Sequence, residues 1–461
     1  MRCIKTLCLF LVICFDLTYL QAQQPIEINL KGAVGNAVKT NINVIKAENN
    51  IESQSVNIKG KYGALIPTLS FSGGWQRSNN VLTGQALNNA LYGNQTPPLY
   101  YQSLVPGSLN STSYDYSLGL RSDVTLFNGF TNYQSIDEAK QTQAYNYILL
   151  QKTKQDIVLQ VMNDYITVLK NQQIVKIDSA TLANSQLQLD LVKQFVEAGR
   201  RTMVDIYNQD ALVAQNELQL EQAVNELNKS ISDLIFDSNL PQDKTYTVNM
   251  SDFSSDLTLD YVNAYATQNS NVDFLVNTAL KNRYDYQSTE QVIKINETNF
   301  DIARNSVIFP TLSGFSSYNW TGSSFSNIAN TKVFTLGLTL SFPIFEGFSI
   351  DNQRQLAEIQ IKSSNEDLAQ LQKQITNDIQ KAVLDLKSLV KQIEITDRTI
   401  KSAEQNKLLA EESYKVGLQT LLDVQTATTT YDNALIQKSN LIYNFQFAQK
   451  QLEYFQGLLK Y

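Results

Sequence analysis

Phe334-Thr335-Leu336-Gly337-Leu338-Thr339-Leu340-Ser341-Phe342-Pro343-Ile344 is the segment that decides how the rest of the chain is read. Phe334, Leu336, Leu338, Leu340, Phe342 and Ile344 alternate with Thr335, Thr339 and Ser341. A period of two belongs to a strand with one apolar and one polar face. Working outward, three more segments carry the same signal. Leu69, Phe71 and Trp75 oppose Thr68, Ser70 and Ser72, while Tyr114, Tyr116, Leu118, Leu120, Val124 and Leu126 oppose Asp115, Ser117, Arg121, Asp123 and Thr125. The stretch from Leu312 to Trp320 is less regular, because Phe315 falls on the polar side.

Half-buried strands of this kind usually belong to soluble sandwiches. Here the apolar faces are aromatic near their ends, with Trp75, Tyr114, Tyr116, Trp320, Phe334 and Phe342, and aromatic girdles mark membrane interfaces. Each strand has about the 9–11 residues that cross a bilayer when tilted. Four strands cannot close a barrel, and an open edge is not tolerated in lipid, so several chains are expected to pool their strands.

The chain repeats itself. Gly119-Leu120 recurs as Gly337-Leu338, Phe127-Asn128-Gly129-Phe130 as Phe345-Glu346-Gly347-Phe348, and Gly199 through Asp205 as Gly417 through Asp423, each 218 residues later. Pro67-Thr68-Leu69-Ser70 recurs as Pro310-Thr311-Leu312-Ser313 at a spacing of 243, so the first half holds 25 extra residues. These are expected in a loop, Gln76 to Ser113, with Thr321 to Lys332 as its shorter counterpart.

The remainder reads as helix. Asp351 to Glu412 contains neither proline nor glycine, and Leu368, Leu371, Ile375, Ile379, Val383, Leu386, Val390 and Ile393 recur at steps of three and four. Ile157, Val161, Tyr165, Val168 and Val175 do the same in the first half, where a helix from Thr131 to Glu197 would be on the order of 100 Å long. A free-standing coiled coil would look similar, but each long helix here follows a membrane-type strand and ends at a glycine turn.

The expected organisation is a signal peptide at 1–22, then a first structural unit at 23–240 with a helix, strands at 68–75 and 114–127 and a helical hairpin at 129–236. A linker at 238–257 leads to a second unit at 258–461, with a helix, strands at 311–320 and 333–345 and a hairpin at 348–456. The signal is read from Arg2 and Lys5, an apolar run from Leu7 to Ile13, and Leu20-Gln21-Ala22. Cys3, Cys8 and Cys14 all lie inside it, so the mature chain has no thiol. The net charge of −7 becomes −8 once Arg2, Lys5 and Asp16 are removed, which argues against a nucleic-acid partner. Histidine is absent, and no Gly-rich phosphate loop, calcium loop or catalytic constellation is visible; neither metal nor cofactor is implied.

At Phe309-Pro310-Thr311-Leu312-Ser313, Phe342-Pro343-Ile344-Phe345-Glu346-Gly347 and Tyr414-Lys415-Val416-Gly417-Leu418 with Asp423, the chain resembles the TolC-like outer-membrane efflux proteins, over nearly its whole mature length. The resemblance implies an α+β membrane protein: a homotrimer with a twelve-stranded β-barrel, four strands per chain, in the outer membrane. Long helices continue the barrel into the periplasm as a coiled-coil tunnel. It implies the exit duct of a tripartite efflux pump or type I secretion system, not an enzyme, with a periplasmic adaptor and an inner-membrane pump or ABC transporter as partners. A periplasmic coiled-coil adaptor is the rival reading, and it has no use for lipid-facing strands.

The resemblance also places the periplasmic gate and the adaptor contact at the hairpin tips. The tips are Gly199-Arg200-Arg201-Thr202 and Gly417-Leu418-Gln419-Thr420, with Tyr414 close by. Asp205 and Asp423 stand three residues after a threonine, the spacing of a capping box. Asp205 reads foremost as a cap. Asp423 matches the family position of a carboxylate ring at the constricted end, where three acids would attract cations and raise one another's pKa values. The chain departs from the family in having Thr426 where a second acidic ring often stands, and Gln419 where the tip is often basic; Arg201 is the candidate substitute.

Overall fold

The computed structural model describes residues 26–93, 107–249 and 252–460. The expected signal segment at 1–22 lies outside the described residues. In chain order the elements are β1 (Ile26–Ile28), α1 (Leu30–Thr40), α2 (Ile42–Gly63), β2 (Thr68–Thr83), α3 (Gly84–Tyr92), β3 (Ser108–Asn128), α4 (Thr131–Glu197), α5 (Met203–Asp237) and β4 (Tyr246–Val248). Then come α6 (Leu259–Gln268), α7 (Val272–Asn282), α8 (Tyr284–Ile308), β5 (Thr311–Gly322), β6 (Thr331–Ser341), α9 (Ser349–Lys415) and α10 (Leu421–Phe455). The class is α+β. Both α4 and α9 have 67 residues, and both α5 and α10 have 35.

Two compact units result. One comprises Ala47–Leu149 and Asp285–Gln372 and holds an antiparallel sheet in the order β2-β3-β5-β6. Its two faces follow from the register. Phe71, Leu120, Tyr318 and Phe334 form one row across all four strands, whereas Ser70, Arg121, Ser317 and Thr335 form a row on the other face. The apolar row is not covered: Phe71 is 67 % exposed and Phe334 65 %, and Leu336, Leu338 and Leu340 on the same face are exposed as well. An uncovered apolar face of this extent marks a surface meant for lipid or for a partner.

The first strand pair departs from expectation. β2 continues past Trp75 to Thr83 and β3 begins at Ser108, so much of the segment assigned to a loop is a paired ribbon followed by α3. Composition misleads here because both faces of the ribbon are mostly polar and its few apolar residues fall on both, Val81 on one and Leu82 and Leu109 on the other, which removes the alternation that betrays a strand. The ladder and cross-strand bonds such as Thr112 Oγ1 to Asn79 Oδ1 (3.2 Å) supply what patterning does not. At the other end β6 stops at Ser341, so Phe342 and Ile344 belong to the junction instead of the strand.

The repeated Phe-Asn-Gly-Phe and Phe-Glu-Gly-Phe motifs are strand-to-helix turns. Gly129 and Phe130 both have φ of +66°, and Gly347 and Phe348 have +59° and +66°. Two consecutive left-handed residues redirect the chain, and the first must be glycine at 129, where a Cβ would lie 2.8 Å from the Asn305 carbonyl oxygen. Pro67 and Pro310 stand just before β2 and β5, where a proline can neither donate to nor continue a helix.

The second unit comprises the residues up to Lys46, Leu150–Tyr284 and those from Lys373 onward. The helical stripes are its core: Ile375, Ile379, Leu386 and Ile393 are fully buried, as are Val161, Tyr165 and Val168. Leu368 and Leu371, assigned to the first unit, are half-buried. Each large side chain buried in this way contributes about 1.5–3 kcal/mol. Part of the expected linker is ordered by pairing, since β4 lies parallel to β1, Ile26 opposite Tyr246. The Tyr165 hydroxyl donates to the Asn249 carbonyl at 2.7 Å, and Asp252 accepts the Leu30 N–H at 2.8 Å.

Beside these braces, Gln160 Nε2 donates to Asp164 and to Asp237, each at 3.2 Å. Burial, then the adjacent Asp237 carboxyl, push the Asp164 carboxyl up to about 7. Asp164 thus holds its proton more tightly when folded, so its contribution to stability is complete below the usual carboxylate range, near pH 4, and is lost as pH rises through about 7. Asp164→Asn should flatten that dependence. Thermal unfolding followed by circular dichroism should show the variant melting above wild type at pH 8 and with it at pH 4.

Candidate functional site

Each hairpin tip is built by one pair of local motifs. At the end of α4 the Gly199 N–H donates to Val196 O (2.9 Å) and the Arg200 N–H to Phe195 O (2.8 Å). At the end of α9 Gly417 donates to Tyr414 O (3.1 Å) and Leu418 to Ser413 O (2.8 Å). Both are helix stops that need a left-handed residue, and the glycines have φ of +67° and +86°. The returning helices begin with capping boxes. The Thr202 N–H donates to the Asp205 carboxylate at 3.2 Å, and the Thr420 N–H to Asp423 at 2.9 Å.

Asp423 is exposed, and the hydroxyl and N–H of Thr420 hold its carboxyl below the usual carboxylate range. Within one chain this direction is opposite to the upward shift expected from a ring of three acids. The side chain is therefore ionised at neutral pH in the single chain. Asp205 is half-buried in the equivalent position.

The two tips are joined. Arg201 Nη2 donates to Tyr414 O at 2.9 Å and to Gln419 O at 3.4 Å, and its guanidinium carbon lies 4.2 Å from the Tyr414 ring centroid. Arg200 donates to Lys415 O at 3.0 Å and stacks on Phe195. Arg200 thus serves the Lys415 carbonyl at the end of α9, and Arg201 adds a second donor to the Tyr414 carbonyl and reaches Gln419 in the turn, where a cation also opposes the negative pole of the helix. Arg201 therefore supplies a tie between hairpins, made to backbone carbonyls and an aromatic face; among the described residues no ion pair links it to Asp423 or Asp205.

Beneath the arginines lies an apolar cluster of Val192, Ala410, Tyr414, Leu421, Val424 and Ala427, with Phe195 packed against it. Tyr414 is fully buried, its hydroxyl has no hydrogen-bond partner among the described residues, and burial pushes its pKa up. Gln419, Gly417 and Leu418 are exposed, Leu418 81 % so. Sequence reasoning missed the polar bridge one step deeper. Gln425 Nε2 donates to the Gln209 side chain at 3.0 Å, and buried Gln209 donates to Ser185 O at 3.1 Å. A glutamine on a helix face gives no signal that its partner lies on another hairpin.

On the sheet, Trp75, Tyr114 and Phe334 are exposed, as is Phe342 in the junction after β6, while Tyr116 and Trp320 are half-buried. Tyr116 meets Phe325 edge-on at 6.4 Å and Trp320 meets Tyr318 at 4.6 Å. No described helix is long and apolar enough to cross a membrane. No described group of His, Cys, Asp and Glu side chains is arranged to hold a metal ion.

A sheet with an uncovered apolar face and long paired helical hairpins define a membrane channel fold, and the comparisons agree. The chain belongs to the outer membrane efflux protein family, whose model matches residues 33–235 and 275–457. It is 22% identical over 351 residues to outer membrane protein TolC of Salmonella enteritidis, covering 75% of this chain and 70% of that one. With the pyoverdine export outer membrane protein OpmQ of Pseudomonas putida it shares 22% identity over 334 residues, 72% and 67% of the two chains. The solved structure of CusC superposes with a TM-score of 0.74 at 18% identity, covering 93% of this chain and 92% of that one. This is accordingly an outer-membrane protein of a channel family, not of an enzyme family.

Arg201→Ala removes both carbonyl bonds and the cover over Tyr414. Loss of bonds to a charged donor should loosen the tip by about 1.5–3 kcal/mol. Amide hydrogen exchange at Gly417 to Leu421 should accelerate, while exchange in the core of α9 around Ile379 stays unchanged.

Proposed function

We propose that three copies of this chain assemble, β6 of each pairing with β2 of the next, to close a twelve-stranded barrel whose apolar face meets outer-membrane lipid. The observation that carries this reading is the sheet itself: its apolar face is exposed and its edge strands β2 and β6 are unpaired. Unpaired edges are untenable in lipid, and only closure removes them. The matching lengths and spacing of the hairpin helices support two structural repeats in each chain. The helices of three chains then line a periplasmic duct.

The assembly is a passive exit conduit of a tripartite efflux pump or type I secretion system. An inner-membrane pump or ABC transporter supplies the energy, and a periplasmic adaptor seats on the tips around Gly199, Arg200, Gly417 and Leu418. The exposed apolar surface of Leu418, Val416 and Leu422 suits such a contact. Tyr414 and Arg201 hold the two hairpins of a chain together, and Asp423, with Asp205 and Gln419 near it, forms the gate. A periplasmic adaptor would leave the sheet without a purpose.

Light scattering of the detergent-solubilised mature protein should give the mass of three chains, and a folded monomer would overturn the proposal. Asp423→Asn retains an oxygen for the Thr420 N–H but removes one charge per chain from the constriction. Bilayer recordings should show lowered cation selectivity with little change in thermal stability. Asp205→Asn is the control: unchanged selectivity in the first variant assigns Asp423 to capping alone, and an equal loss in both overturns its assignment as the gate.

A further inference from the structure

Phe315 interrupts the alternation of its strand, and the structure shows what occupies the polar face in its place. Thr68, Asp123, Phe315 and Gly337 form one register row. The Phe315 ring lies against Gly337, where a Cβ would fall 2.7 Å from ring atoms Cε1 and Cζ. Glycine at 337 is therefore what leaves room for an aromatic ring on that wall. On the ring rests the guanidinium of Arg121, its central carbon 4.9 Å from the ring centroid. Asp123 fixes that guanidinium in plane, accepting from Nε at 2.9 Å and from Nη2 at 2.7 Å.

Arg121 is 53 % exposed at its side chain, so the guanidinium is backed by a ring and clamped on one edge while still open to solvent. Nη1 makes no hydrogen bond to a described residue. We infer that Phe315, Arg121 and Asp123 form a contact station for planar aromatic carboxylates, whose ring stacks on the open guanidinium face and whose carboxylate is drawn to that face by its positive charge. The neighbouring wall residues Ser70, Ser317 and Thr335 are small and polar, which leaves room for a flat molecule and offers no competing apolar surface. Arginine suits this task because its cation is planar and weakly hydrated. Placement of the station on the inner wall of a conduit, three times around its axis, rests on the trimeric barrel proposed above.

The test uses the full-length protein in detergent and two probes of equal charge, naphthalene-2-carboxylate and its saturated analogue decalin-2-carboxylate, titrated by saturation-transfer NMR. Wild type should bind the aromatic probe about fivefold more tightly, the worth of one such stack. Arg121→Lys, which keeps the charge but not the plane, and Phe315→Leu, which removes the backing ring, should abolish that preference. Equal binding of the two probes by wild type overturns the station without any variant being needed, as does a preference that survives both substitutions. Reversal potentials separate this outcome from failure of the barrel. Arg121→Gln leaves Asp123 uncompensated and should shift the channel toward cations if the station faces the conduit. An aromatic preference with unchanged selectivity overturns the inner-wall placement alone, since closure itself is judged by the trimer mass from light scattering.

Discussion

A strand at the edge of a sheet presents a row of backbone N–H and C=O groups, and the four-stranded sheet has two such edges on which the rest of the molecule depends. β2 and β6 are each paired on one side only. In water an edge can be solvated, but in hydrocarbon each orphaned group costs several kcal/mol. The apolar row through Phe71, Leu120, Tyr318 and Phe334 is at odds with water, so the face and the edges make opposite demands on a single chain in any one solvent. The assembly proposed above, through the edges, reconciles them. The same constraint accounts for the β3–β5 ladder, which joins Tyr116–Asn128 to Thr311–Gly322 across nearly two hundred residues and makes one four-stranded sheet from two separate hairpins.

The helical hairpins solve a different problem, the termination of very long helices. A 67-residue helix ends with unsatisfied carbonyls and a negative pole, and a turn alone satisfies only some of them. At the end of α9 the Lys415 carbonyl falls to Arg200 of the other hairpin, and Arg201 doubles the bond that the turn already makes to the Tyr414 carbonyl. The cluster around Tyr414 gives those arginines an apolar base, so hydrogen bonding, cation–π contact and burial coincide at one junction. This coincidence couples the two tips. A capping carboxylate such as Asp423 stays at the surface because both its partners come from Thr420 beside it.

Much of this was legible beforehand. The boundaries Thr131 and Glu197 follow from a run free of helix breakers between a glycine turn and a glycine stop. Ile375, Ile379 and Ile393 are buried as their spacing requires. The strand faces are those that alternation predicts, since a one-residue slip would reverse every side chain. Gln76 to Ser113 was misread because alternation reports a difference between two environments, and a ribbon mostly polar on both faces has none. Phe315 looked like an error of patterning and proved to be a packing solution, legible only once Gly337 and Arg121 were known to be its cross-strand neighbours.

By itself the sequence determined the periodicities and the punctuation, because each depends on residues close together along the chain, and the internal spacing of 218 residues, because a repeat is visible in residue identities alone. Period two, period 3.6, Pro67, Gly129 and the Thr202–Asp205 box all act within a turn or a strand. Only the tertiary structure decided which long-range partners those elements found: β3 with β5, Arg201 with the carbonyl of Tyr414, Gln425 with Gln209, Asp164 with Asp237. These pairings join residues distant in sequence through side chains whose types are compatible with many neighbours. Their selection depends on the relative placement of whole helices and strands, a property that no local pattern encodes.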